Sequence, residues 1–290
     1  MKIQTFSIIA GSEACNARCP FCISKMTPPQ GLTLKTPTVN WRNFRIGAQF
    51  AKQCGVTTAM LTGKGEPTLF PDQITQYLEE LQAFHFSFLE LQTNGILLYE
   101  QWEKYVPYLK KWYVLGMTMI AISLVHYDPE KNREVYVPYK KQYIDLPVLI
   151  ARLHELGFSV RLTCILADGY IDSVEKLEQL IAFAKENKVE QLKISPVNKP
   201  EESRDSGVEQ WTDIHFLKQE QVNAIHTYLQ QQGTPLMKLA HGALVYDVHG
   251  QNVCMSYCLT LDPEGDIRQL IFFPDGHLRY DWQYKGAVLL

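Results

Sequence analysis

No stretch of this chain approaches the roughly 18 consecutive apolar residues that cross a bilayer as a helix, so no membrane-spanning helix is expected. No excess of one charge is present either. Lysine and arginine number 28 against 31 aspartate and glutamate, a formal net charge of −3. That excludes a global basic field holding long nucleic acid or an anionic membrane, though a few local cations would serve a small anion. A signal-peptide pattern is lacking: Met1-Lys2-Ile3-Gln4-Thr5-Phe6 leads straight into a strand-like run. Cysteines are few, seven in 290 residues, an odd count with three clustered. A disulfide framework is therefore not the organising device, and a reducing, cytoplasmic setting is expected. Low-complexity segments are absent. With 46% hydrophobic and 20% charged residues, the composition is that of a globular chain long enough for one large α/β domain.

What stands out is Cys15-x3-Cys19-x2-Cys22. Three thiolates in one loop can wrap one small inorganic object, and three leave a tetranuclear iron–sulfur cluster one ligand short. An open coordination position is a site for chemistry, whereas a closed set of four is structural. An incomplete zinc knuckle, a disulfide pair and chance spacing stay open as alternatives at this point.

Periodicity places strands at 3–10, 57–62, 86–93, 117–125, 159–166 and 191–197. Between and after them, helical patterns fall at 41–54, 71–84, 99–111, 144–156, 173–187 and 217–232, with Pro107 expected to bend or interrupt the third. Residues 23–40, 126–143 and 200–212 read as loops. Strict alternation implies parallel strands with right-handed crossovers. The expectation is α/β: a partial (β/α)6 TIM-like barrel over 1–233, capped by a small antiparallel β C-terminal extension over 234–290. In that extension, short strands at 236–248, 252–262, 267–273 and 277–282 are joined by turns at Gly250, Gly265 and Gly276.

The unusual residue groups each follow a strand. The cysteines follow the first, Thr62-Gly63-Lys64-Gly65-Glu66-Pro67 the second, Thr93-Asn94-Gly95 the third, and His126-Tyr127-Asp128 the fourth. In parallel barrels these loops converge on one mouth, where reaction sites form.

Taken together, the cysteine spacing with Phe21 before the third thiol, the glycine-rich loop ending in Glu66-Pro67, and Thr93-Asn94-Gly95 resemble the radical S-adenosylmethionine (radical SAM) enzymes. The last motif points to the branch resembling the molybdenum-cofactor cyclase. Lys64 departs mildly from the family pattern, which often has a direct glycine pair there. The resemblance covers roughly residues 3–200. It implies that Cys15, Cys19 and Cys22 hold a [4Fe-4S] cluster, with S-adenosylmethionine on the fourth iron. It further implies that Gly63, Gly65 and Glu66 bind the methionine end, that Phe21 lies near the adenine, and that Ser123 contacts the ribose. Reductive cleavage would then give a 5′-deoxyadenosyl radical, which abstracts hydrogen from a substrate.

The implied partners are a small-molecule or nucleotide-like substrate and an external one-electron donor of flavodoxin or ferredoxin type. Two other readings remain: a radical enzyme acting on a peptide or protein side chain, and a non-enzymatic iron–sulfur or zinc module. His126, Tyr127 and Lys193 are candidate catalytic groups, each with an equal case for only shaping the pocket. Lys64 divides between a carboxylate contact and a tolerated loop residue. Arg161, Lys193 and Ser195 are candidates for anion binding or for outward positions. Cys254 and Cys258 fall short of the four ligands of an auxiliary cluster and are expected to be buried structural thiols. Arg268, Tyr280 or Trp282 would complete the substrate pocket.

Overall fold

In the segment Ser159–Leu166, Val160, Leu162, Cys164 and Leu166 are fully buried while Arg161, Thr163 and Ile165 are partly open. Successive side chains on a strand point to opposite faces, so one face packs on helices and the other on a lumen. Gln191–Pro196 repeats the pattern, with Leu192 and Ile194 in the helix-facing core. The computed structural model describes residues 3–239, 242–256 and 267–290.

Six strands, β1 (Ile3–Ile9), β2 (Thr58–Thr62), β3 (Phe88–Thr93), β4 (Met117–Leu124), β5 (Ser159–Leu166) and β6 (Gln191–Pro196), lie side by side in chain order. All five pairings between them are parallel. Helices on their outer face bury the core. The helix Trp102–Val114 runs through Pro107 without a break. A mid-helix proline costs about 3 kcal/mol. Tyr105, Leu109 and Trp112 on the same helix are fully buried. At roughly 1.5–3 kcal/mol per buried side chain, they outweigh it.

The C-terminal strands are antiparallel among themselves, as expected, but they divide between the two edges of the core sheet. Strands β7 (Gly233–Lys238), β8 (Leu244–Val248) and β9 (Gln251–Met255) form a meander whose last strand pairs in parallel with β6. Strands β10 (Ile267–Phe272) and β11 (Leu278–Arg279) form a second antiparallel pair, and β10 pairs in parallel with β1. The result is one sheet of eleven strands in the order β11-β10-β1-β2-β3-β4-β5-β6-β9-β8-β7. Its two ends do not meet, so the barrel stays open. The single strand expected over 236–248 is two, β7 and β8, and the expected turn at Gly265 lies outside the described residues.

All three expected loops contain a helix, one of them only the single turn Ile23–Met26, the other two longer ones. Pro129–Tyr136 starts at Asp128, whose carboxylate caps Glu130 N–H, with Pro129 in the first turn. Ser206–Ile214 starts at Asp205, whose carboxylate accepts from Gly207 and Val208. Both carry readable N-cap residues, but each is too short for an apolar stripe to stand out. Among the described residues, no helix is long and apolar enough to cross a membrane.

Candidate active site

Four βα loops meet at the C-terminal ends of the strands, and hydrogen bonds tie three of them to the cysteine loop. From the loop after β2, Glu66 N–H donates to the Ala14 carbonyl at 2.9 Å. From the loop after β3, the Asn94 amide donates to Asn16 Oδ1 at 2.7 Å. From the segment after β4, the Tyr136 carbonyl accepts from Arg18 N–H at 2.8 Å, and the Tyr139 hydroxyl donates to the Asn16 carbonyl. The Arg18 guanidinium also lies over the Tyr139 ring.

Gly65 shows why the second loop needs glycine. A Cβ there would stand 2.0 Å from the Ala14 oxygen and 2.7 Å from its carbonyl carbon. Backbone meets backbone with no room for a side chain. At Gly63 a Cβ would lie 3.0 Å from the Gly65 oxygen and 3.1 Å from that of Ala10.

Glu66 is 3% exposed. Its Oε1 accepts from Thr68 N–H at 3.0 Å, Thr68 Oγ1 at 2.7 Å and Thr93 Oγ1 at 2.6 Å, and its Oε2 accepts from Asn94 N–H at 2.9 Å. Burial raises its pKa, and these four bonds oppose the rise. A carboxylate has about four acceptor sites; three of these bonds fall on Oε1 and one on Oε2, so Oε2 keeps room for a further donor. Glu66 is thus the knot joining the second and third loops.

Cys15 is exposed, and Cys19 and Cys22 are half-buried. Although Cys15 is exposed as a residue, the protein packed around its sulfur raises the thiol to about 11; burial raises Cys19 well above its ordinary value, and for both, charge on the neighbouring cysteines adds to the rise. The three sulfurs therefore share one locale, and proton release there awaits a cation. Among the described residues, no three His, Cys, Asp or Glu side chains converge on a single-ion position. A cuboidal cluster sets its thiolates farther apart than one tetrahedral ion does.

Three buried donors beside this locale have no acceptor: Asn16 Nδ2, Tyr136 OH and Tyr143 OH. Both tyrosines feel Cys19, and burial holds both phenols protonated. Orphaned buried donors are costly, and an electron-rich occupant such as a thiolate-bound cluster would satisfy them. By that test, and by its donor chemistry, the site fits an iron–sulfur group. Phe21 packs edge-on to Tyr136 at 6.1 Å and tilts against Trp211 at 5.5 Å.

Lys64 is 4% exposed. Its Nζ donates to Thr27 Oγ1 at 2.5 Å and lies 5.7 Å from the centre of the Trp282 ring. Burial lowers its pKa to about 8, partly offset by Cys22 and Glu13.

Below the loops lies a cavity of about 850 Å3, the barrel lumen. Lys193, Arg161, Arg268, Cys254 and Trp282 line it. Arg161 pairs with Glu90, a residue the sequence reading passed over, although a glutamate at an inward position of the run Phe88-Leu-Glu-Leu-Gln-Thr93 was a visible signal. Ser123 faces the lumen in register with Thr163, and Ser195 is a buried hydroxyl without a partner. Tyr280 is exposed and does not line the cavity. Cys254 faces the lumen, its thiol raised by burial against the charges of Lys193, Arg161 and Arg268. Cys258 lies outside the described residues.

His126 and Tyr127 are not in the lumen, which corrects the expectation that they sit at its mouth. Asn132, fully buried, folds back to accept from Val125 N–H at 3.0 Å and His126 N–H at 3.3 Å, which fixes the turn after β4. His126 Nδ1 then accepts from Asp128 N–H at 2.9 Å, and Tyr127 bonds Gln179 and lines a separate outer groove.

A sequence family described as the Radical SAM superfamily matches residues 9–184. Among solved structures, Streptococcus suis SuiB bound to precursor peptide SuiA is 16% identical, with a TM-score of 0.60 over 96% of this chain and 59% of that one. Native anSMEcpe with bound AdoMet is 13% identical, with a TM-score of 0.56 over 99% and 77%. Methylornithine synthase (PylB) is 15% identical, with a TM-score of 0.54 over 91% and 74%. At these identities the likeness is one of fold. The chain spans about three fifths of the length of the SuiB structures. No curated protein matches it significantly.

Proposed function

The chain belongs to the radical SAM superfamily, and from that premise we propose that it holds a [4Fe-4S] cluster on Cys15, Cys19 and Cys22 and cleaves S-adenosylmethionine to act on a small-molecule or nucleotide-like substrate in the lumen. The observation that carries this is the convergence of three βα loops on the cysteine loop, beside a cavity of about 850 Å3 whose mainly apolar walls carry Lys193, Arg161, Glu90 and Arg268. When bound, cluster and cosubstrate supply reductive cleavage of the sulfonium C–S bond and hydrogen-atom abstraction.

The protein's part is to bind, orient and exclude. Gly63 and Gly65 bare the backbone, so that its carbonyls accept from the ligand ammonium. Glu66 locks that loop to Thr93 and Asn94. Phe21 and Ser123 are assigned to the adenosine end. Lys193, with the Glu90–Arg161 pair, gives the lumen polar points suited to a substrate with hydrogen-bonding groups. A flavodoxin- or ferredoxin-type protein is the expected electron source. A peptide substrate is the second reading, favoured by the likeness to SuiB, whose structure holds a precursor peptide.

The test is anaerobic reconstitution followed by dithionite and S-adenosylmethionine. 5′-Deoxyadenosine is expected from the intact chain, and Cys19→Ala should lose both the iron–sulfur absorbance and the product. Cluster-loaded protein that makes none, beside a working family member, would overturn the proposal and leave a non-enzymatic metal module.

A further inference from the structure

We propose that Lys64 is the counter-charge of the cluster site: its ammonium, tethered to the segment that Cys22 begins, makes the cluster easier to reduce. This rests on the reading that Cys15, Cys19 and Cys22 hold a cluster.

Lys64 occupies the position between the two glycines of the loop after β2. Its ammonium is buried, and its contacts are a hydroxyl and a ring face, with no carboxylate in ion-pair range among the described residues. Cys22 and Glu13 are the groups that favour its charge, and Arg204 opposes it. A buried cation normally has a matched anion, and here the carboxylate share is a distant Glu13.

The local geometry ties the ammonium to the helix that Cys22 begins. Thr27 ends the short helix Ile23–Met26 that begins at Cys22. The Thr27 hydroxyl spends its own proton on the Ile23 carbonyl at 2.8 Å, so toward Lys64 it can only accept. Lys64 is thereby tethered to the segment that carries the third thiol. Thr27, Gly63 and Trp282 line the lumen, whereas Lys64 itself does not. Lumen-lining residues thus stand between the ammonium and a substrate anion, and the negative group that acts on it most is Cys22.

The consequence is electrostatic. Reduction adds one electron to a cluster whose thiolates are already negative. A fixed cation near Cys22, in a medium of low dielectric, stabilises the reduced form more than the oxidised form. A tether alone would hold the loop without changing that balance.

The experiment is a potentiometric titration, followed by electron paramagnetic resonance, of the reconstituted full-length chain without S-adenosylmethionine. Iron and sulfide are assayed in each sample. Lys64→Met should lower the ratio of reduced to oxidised cluster about tenfold at a fixed ambient potential, equal to ~59 mV for one electron. Lys64→Arg keeps the charge and should stay within about twofold of the parent. If the methionine variant assembles no cluster, Lys64→Gln, which can still bond Thr27, makes the comparison and should shift the same way. Loaded Met or Gln variants with the parent's potential would overturn the proposal and leave Lys64 a tether. A parent chain that binds no iron would instead refute the cluster reading beneath it.

Discussion

Gly65→Ala puts the meeting of the first two loops to a quantitative test. The added Cβ would stand 2.0 Å from the Ala14 oxygen and 2.8 Å from the Glu13 carbonyl carbon. Ordinary non-bonded separations are about 3.5 Å, so one loop must retreat by about 1.5 Å. Neither side can yield by a rotamer change, because the obstacle is backbone. The neighbouring bond from Glu66 N–H to Ala14, now 2.9 Å, would leave hydrogen-bonding range. Overpacking of this kind costs about 1–3 kcal/mol, and a buried donor left unpaired costs about 1–3 more. The expected loss is therefore about 2–6 kcal/mol, read as a fall of about 1 M or more in the urea midpoint. Iron uptake should drop as well, because Ala14 adjoins Cys15. Gly286→Ala is the control: a Cβ there meets nothing within 4 Å, and its effect should stay within about 0.5 kcal/mol. A Gly65→Ala protein that unfolds with the parent and takes up iron normally would refute the proposed contact between the loops.

Other perturbations separate lumen from exterior. Arg161→Met should destabilise by about 3–5 kcal/mol, because it strands a Glu90 side chain that is only 5% exposed. Adding Glu90→Gln should restore most of that in urea unfolding, and a double variant no better than the single would count against the pair. Burial holds His126 below the usual imidazole range; Asp128 and Asp172 favour its charge, and Lys176 and Lys131 oppose it. A histidine neutral when folded contributes stability above its unfolded pKa of about 6.5, and that contribution fades as pH falls toward the folded value. His126→Gln should flatten the stability profile between about pH 7 and 5 while leaving 5′-deoxyadenosine formation intact. Loss of product without loss of stability would return His126 to the site.

The βα rhythm was legible because each strand and helix declares its own periodicity, and the local motifs were legible because spacing within one loop is covalent. Cys15, Cys19 and Cys22 are neighbours whatever the fold, and the helix Val174–Glu186 shows its stripe and its Ser173 cap without help. The short helix after Asp128 was missed because eight residues carry too little pattern, although its cap was in view.

Pairing between distant segments carries no such local mark. Nothing in the run Ile267–Phe272 says that it joins β1, or in Gln251–Met255 that it joins β6. Strand partners are selected by burial across the whole sheet. Side-chain direction is likewise a tertiary matter. The stretch after β4 placed His126 near the mouth in sequence, but its ring accepts from Asp128 N–H and does not line the lumen. Glu66 looked like a ligand in the motif, and the fold shows that it also ties Thr68, Thr93 and Asn94 together. The sequence alone determined that three thiols and two glycines would stand at strand ends. Only the packed structure decided which polar groups spend their bonds on one another and which, like Asn16, Tyr136 and Tyr143, are left with a bond to give. A hydrogen bond depends on distance and angle between atoms far apart in the chain, and the fold alone supplies both.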